Sequence, residues 1–210
     1  KDCLYTYAAG SPERRSAQSA IYLIADGLAR LLAPLLPVTA DELWRHLPGD
    51  RDESVHLAEF PTEFAALDDD RELLSRWKRL LSIRDAVNVE VERRRQEKTV
   101  GTSLEARVSL RASGATATLL EEYRDELPTL FITSAVDLLT DETIRSGDSK
   151  GDSSTWNEPD GVLAIAVERI DGYKCARCWR YVPTVSQENG REGLCARCVD
   201  ALAEAVGVDG

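Results

Sequence analysis

The chain has 210 residues, 43% apolar and 30% charged, which is ordinary for a soluble globular protein of one or two domains. Its formal net charge of −11 excludes a protein that coats DNA along its length, and its longest apolar runs, such as Leu31 to Val38, are proline-broken and too short to span a bilayer. With no apolar signal segment and no disulfide-dense scaffold it reads as cytoplasmic, and the absence of Met, even at position 1, points to a processed chain or a piece of a longer one.

Ser11-Pro12 opens the first long helix, with serine at the N-cap, proline at the first helical position and Glu13 in the first turn. Ile21, Ile24, Leu28, Leu31, Leu32 and Leu35 recur at helical spacing and predict its buried stripe; Pro34 and Pro37 end it. Thr39-Ala-Asp-Glu42 reads as a capping box for a short helix carrying Leu43, Trp44 and Leu47, stopped by Pro48-Gly49-Asp50. After an extended run to Pro61, Asp68-Asp69-Asp70 supplies N-terminal charge to a helix predicted from about Asp69 to Glu97. Leu73, Leu74, Trp77, Leu80, Leu81, Arg84, Val87 and Val91 mark its buried stripe and edges, and its basic end, Arg93-Arg94-Arg95, is expected in solvent.

Beyond residue 98 the period changes. Leu104, Ala106, Val108 and Leu110 alternate with polar residues as in a half-buried strand. Ala115 to Glu126 reads as helix, Leu130 to Leu139 and Val162 to Ile170 as strands, and the polar stretch Asp141 to Pro159 as a loop around an isolated Trp156. The expected organisation is mainly α with an α+β part: a helical domain over 1–97, a small α+β module over 98–171 and a metal ribbon over 172–210, closed by a short helix from about Val199.

Cys175-Ala-Arg-Cys178 and Cys195-Ala-Arg-Cys198 form C-x2-C-x16-C-x2-C, within the spacing window of zinc ribbons. A two-residue gap lets one tight turn aim two sulfurs at one cation. Cys175, Cys178, Cys195 and Cys198 are thus predicted to hold one structural Zn2+, leaving no open position for a catalytic water. Two disulfides would use the same cysteines, and spacing alone separates zinc poorly from iron. Cys3 reads as an unrelated thiol.

Charge is distributed unevenly. Gly172 to Cys198 holds five basic residues against two acidic, and Arg76 to Lys98 eight against four, so an acidic chain carries two restricted basic segments. No phosphate-binding glycine loop is present, and no catalytic set can be assembled around His46 or His56, both read as structural. No catalytic residue is therefore assigned, and the chain reads as a binding module.

Lys1-Asp-Cys-Leu-Tyr-Thr6, Ser11-Pro-Glu-Arg-Arg-Ser-Ala-Gln18, Leu32 to Ala40, Glu42-Leu-Trp44 and Glu53-Ser-Val-His-Leu57 resemble the anticodon-binding helical domain of isoleucyl-tRNA synthetases. Arg84 to Glu92 with Lys98-Thr-Val-Gly-Thr-Ser-Leu-Glu-Ala106 resembles their junction segment. Lys174-Cys-Ala-Arg-Cys-Trp-Arg-Tyr181 with Leu194-Cys-Ala-Arg-Cys198 resembles the C-terminal zinc domain of the bacterial-type enzymes. The HIGH and KMSKS ATP-binding signatures and the editing domain are absent. The resemblance implies a class I synthetase-type anticodon-binding bundle, a junction module and a zinc ribbon from the C-terminal part of an isoleucine–tRNA ligase. Such a piece would be inactive alone, ATP would belong only to the absent catalytic domain, and the partner would be isoleucine-accepting tRNA, gripped by a monomer with no DNA or membrane partner.

RNA loops are read through aromatic faces and through Arg or Lys on phosphate. Lys174, Arg177, Trp179, Arg180, Tyr181 and Arg197 lie beside the cysteines and are candidate RNA contacts, as are Arg93, Arg94 and Arg95. Against this, Trp179 and Tyr181 could form a mini-core over the metal, the ribbon arginines could offset a zinc–thiolate charge of −2, and Arg93 to Arg95 could be a solvated helix end. The rival functions are a DNA-binding zinc finger, as in formamidopyrimidine-DNA glycosylases, though those need an N-terminal proline, and a protein-interaction scaffold.

Overall fold

The computed structural model describes residues 2–62, 70–140, 154–158 and 161–206. It divides into two compact units, residues 1–71 with 200–210, and residues 72–199.

In the first unit, α1 (Asp2–Thr6) precedes α2 (Pro12–Leu32), where Ser11 accepts the Arg14 N–H as the N-cap serine predicts. The following helix, α3 (Pro37–His46), begins two residues before the expected capping box. Proline at its first position needs no amide partner, and Leu36 at the N-cap makes no side-chain cap. Ala29, Ala33, Ala40, Trp44 and Val55 form the core. The inward face of α2 is therefore made of small residues, which leave room for the Trp44 indole, and the indole N–H donates to the Asp52 carbonyl at 2.9 Å. The predicted stripe lies elsewhere: Ile21, Ile24, Leu28, Leu31 and Leu35 are 47 to 75% exposed. Periodicity gives the stripe's direction on the helix but not which face the neighbouring element takes.

The second unit is built on α4 (Arg71–Gln96) and a four-stranded sheet. The strands are β1 (Ala106–Ala112), β2 (Ala135–Thr140), β3 (Ser154–Glu158) and β4 (Gly161–Arg169), in the order β2-β1-β4-β3, with only the β1–β2 pair parallel. The crossover between β1 and β2 holds α5 (Gly114–Glu122) and the single turn α6 (Leu127–Leu130). Alternation in β1 is as the sequence predicts, with Ala106, Val108, Leu110 and Ala112 all buried.

α4 lays Leu80, Ile83, Ala86, Val87 and Val91 on the same core as the sheet, while Leu74, Trp77 and Leu81 stay 42 to 62% exposed. Trp77 meets Tyr123 edge to face, with ring centroids 6.1 Å apart. Trp156 is not an isolated loop residue: it sits in β3, opposite Leu163, and packs on the core. The sequence hides this strand because it lacks an apolar alternation. The rest of the expected loop, 141–153 and 159, lies outside the described residues, as do Asp68 and Asp69. Gly161 starts β4 where a Cβ would stand 2.3 Å from the Ser113 carbonyl oxygen, so the close approach of α5 to the sheet requires glycine.

The basic end of α4 is not open to solvent throughout. Arg94 is only 7% exposed and pairs with Glu97 at 3.1 Å. Arg93 bridges Glu97 and the buried Glu90, and Arg95 pairs with Glu92 at 2.9 Å. Glu90 also accepts from the Ser154 hydroxyl at 2.5 Å, tying α4 to β3.

Candidate metal centre and nucleic-acid interface

The two-stranded ribbon sheet, β5 (Tyr173–Lys174) and β6 (Tyr181–Val182), flanks the first cysteine knuckle, and the second opens α7 (Ala196–Val206). In the first knuckle the Cys175 N–H donates to the Arg180 carbonyl at 2.9 Å and the Trp179 N–H to the Cys175 carbonyl at 3.0 Å. In the second, the Cys198 N–H donates to the Cys195 carbonyl at 2.9 Å. Gly193 joins the two, its carbonyl accepting from Ala176 at 3.0 Å.

This backbone brings Cys175, Cys178, Cys195 and Cys198 together, all buried, with their sulfurs within 4.8 Å of one another. None is in a disulfide. The Cys178 and Cys195 sulfurs are 3.7 Å apart. Tetrahedral thiolates on zinc at about 2.3 Å put neighbouring sulfurs roughly 3.8 Å apart, so the group fits a four-coordinate ion. Burial works to raise the Cys175 thiol, yet the N–H groups of Cys178, Cys195 and Arg177 outweigh it and bring the pKa down to about 6. Burial pushes Cys195 up to about 12. It also raises Cys198, against a hydrogen bond from Arg177. A cation among the four sulfurs would favour the thiolate form against the burial that raises Cys195 and Cys198.

The nine candidate RNA residues do not form one surface. Trp179 is 60% exposed and sits in the left-handed region at φ 66°. The Lys174 ammonium lies 5.7 Å from its ring centroid, and Tyr173, absent from the sequence prediction, is 63% exposed beside it. An aromatic residue next to Lys174 in a basic segment was the signal that would have found it. The half-buried Arg177 donates to the Cys198 sulfur at 3.7 Å, and Arg197 is half-buried between Cys195 and Cys198 in the chain.

Arg180 and Tyr181 turn toward the α+β module. The Arg180 guanidinium donates to the Thr129 hydroxyl at 2.9 Å. The Tyr181 N–H donates to the Ser134 hydroxyl at 2.7 Å, and its phenol to Glu105 at 3.4 Å. Ser134 in turn donates to the Leu104 carbonyl at 2.5 Å. No spacing rule marks Thr129, Ser134 or Glu105, because their partners lie 47 to 76 residues away in the chain. Arg93, Arg94 and Arg95 lie on α4 within their own carboxylate pairs.

In the second unit, α4 leads into a mixed sheet followed by a four-cysteine ribbon with an exposed tryptophan and lysine. Residues 1–110 match the anticodon-binding domain of tRNA ligases, and the chain belongs to that family. Along almost its whole length it is also similar to isoleucine–tRNA ligases: 46% identical to that of Syntrophotalea carbinolica over 97% of this chain and 21% of the relative. The ligase of Geobacter sulfurreducens is 40% identical over 94% and 20%, and that of Halalkalibacterium halodurans 40% identical over 97% and 21%. The chain thus spans about a fifth of the length of these relatives.

Proposed function

We propose that this chain is the tRNA-gripping part of an isoleucine–tRNA ligase, a cytoplasmic monomer that charges isoleucine-accepting tRNA at the expense of ATP in a catalytic domain outside the present sequence. The division at 97 and 171 is proposed as one of roles: the helices of 1–97 hold the anticodon arm, 98–171 sets the spacing, and 172–210 presents the ribbon. Remote binding energy of this kind serves the rate by positioning the acceptor end at the reacting centre. Membership of the anticodon-binding family points to RNA as the partner.

The observation that carries the reading is the exposed Trp179 with Lys174 above it, set on a turn shared with a buried four-cysteine centre. A flat indole offers a stacking face for an unpaired base, and the ammonium a phosphate partner. Cys175, Cys178, Cys195 and Cys198 would hold one Zn2+, which supplies no chemistry beyond fixing that turn and offsetting thiolate charge. Arg177 and Arg197 would serve the same charge balance and a nearby phosphate. Arg93 to Arg95 would offer phosphate contacts chiefly through the half-exposed Arg95.

Gel-shift titration of isoleucine tRNA, of an anticodon-substituted tRNA and of duplex DNA tests this at two salt concentrations. Binding should be anticodon-sensitive. Trp179→Ala should cost about 1–3 kcal/mol, the worth of one stacked base. Lys174→Ala should lower the slope of log affinity against log salt by about 0.7. Equal binding of unrelated duplex DNA would refute the reading.

A further inference from the structure

Arg180 and Trp179 are sequence neighbours with different surroundings. Trp179 is 60% exposed, whereas the Arg180 guanidinium donates to Thr129 at 2.9 Å and the next amide, Tyr181 N–H, to Ser134 at 2.7 Å. The Ser134 hydroxyl is used twice, accepting from Tyr181 and donating to the Leu104 carbonyl at 2.5 Å, so it links the ribbon to the entry of β1. Between Thr129 and Ser134 stands Ile132 at φ 58°. A β-branched residue in the left-handed region is strained, and such strain persists only where the surroundings over-determine it. Thr133 beside it is fully buried, and its N–H donates to the Pro128 carbonyl at 3.0 Å. The turn after α6 is therefore held in a costly shape, and α6 and that turn each present one hydroxyl to the ribbon, Thr129 and Ser134.

We infer that Thr129 and Ser134 form a seat that sets the bearing of the Lys174–Trp179 face, and that Arg180 is a positioning residue for RNA recognition and not an RNA contact. This rests on the proposed reading of Trp179 and Lys174. The seat and the metal knuckle are the two ends of one turn: the Arg180 side chain binds Thr129 while its carbonyl accepts from Cys175, a cysteine of the metal group. Cation binding and docking on the sheet thereby act on the same residues. A ribbon that keeps its ion but loses its seat would present the indole over a range of directions, and the tRNA would have to restrict that range on binding.

The test uses the full 210-residue chain loaded with Zn2+. Ser134→Ala, Thr129→Val and Arg180→Ala are compared with Lys174→Ala for zinc content, for amide hydrogen exchange at Tyr181 and for tRNA affinity at two salt concentrations. Each seat variant should keep one zinc and exchange the Tyr181 amide about five- to tenfold faster, the worth of one hydrogen bond. Each should weaken tRNA binding by a similar factor without changing the salt slope. If Arg180→Ala lowers the slope as Lys174→Ala does, Arg180 contacts phosphate and the inference falls. Unchanged exchange in both Ser134→Ala and Thr129→Val also overturns it. Should the parent chain bind no tRNA, the proposed function fails, while the exchange and zinc readings still decide whether the seat exists.

Discussion

Asp41 shows how much one carboxylate can organise. It accepts from the Ser54 hydroxyl at 2.7 Å and the Val55 N–H at 3.2 Å, and so fixes the start of the 3-10 turn Val55–Leu57 against α3. The Ser54 hydrogen bond lowers its pKa, and the Val55 amide and Arg45 add to this against the opposing effect of burial. A carboxylate with a depressed folded pKa contributes stability that is present above its ordinary value near 3.9 and is lost as pH falls through the folded value. Asp41→Asn should therefore destabilise the chain in urea at pH 7. The gap between parent and variant should narrow as pH falls through that depressed folded value. A gap that persists in acid would show that Asp41 acts through shape and not charge. Trp179 and Arg180 make a similar point: they are adjacent, yet one is exposed and the other donates to Thr129.

At the scale of elements, α4 carries the clearest lesson. Its sequence holds two apolar stripes, and the sheet takes the one through Leu80, Ile83, Val87 and Val91. Ile83→Ala should cost about 2–5 kcal/mol, as large-to-small changes in closed cores do. Leu74→Ala, at a position 62% exposed, should stay within about 0.5 kcal/mol. Denaturant midpoints of the two variants check which face is inside, and comparable losses would mean that the outer stripe is buried too. In α2 the same ambiguity resolves toward alanine and glycine, since the neighbour is a tryptophan that needs space.

For the whole molecule, the ribbon is the part whose fold is expected to depend on a ligand. It has almost no apolar interior, and its four buried cysteines stand where a core would be. Removing the metal should loosen the ribbon while the helices and the sheet, which have their own cores, persist. Far-UV circular dichroism with ribbon-specific amide exchange checks this; a global loss of helix on chelation would overturn it. Metal affinity should also fall with pH. Cys195, pushed by burial to about 12, must lose its proton to become a ligand, so each step toward acid favours the thiol. Competition with a chromophoric chelator between pH 8 and about 6 measures the trend.

Much of this was legible along the chain. The C-x2-C pairs, the N-cap at Ser11 and the alternation in β1 are local signals, dictated by turn geometry, capping and the two-residue period of a strand, and each appears where the sequence puts it. Family resemblance likewise resides in ordered motifs and is borne out by the match to anticodon-binding domains. What tertiary structure alone decided is every choice between equivalent local options: which stripe of α2 and α4 is covered, that Trp156 belongs to a strand, that Arg94 is buried among carboxylates, and that Arg180 turns to Thr129. Sequence specifies a residue's chemistry and its period. Its partner is set by whichever distant element arrives opposite it, and no local pattern carries that information.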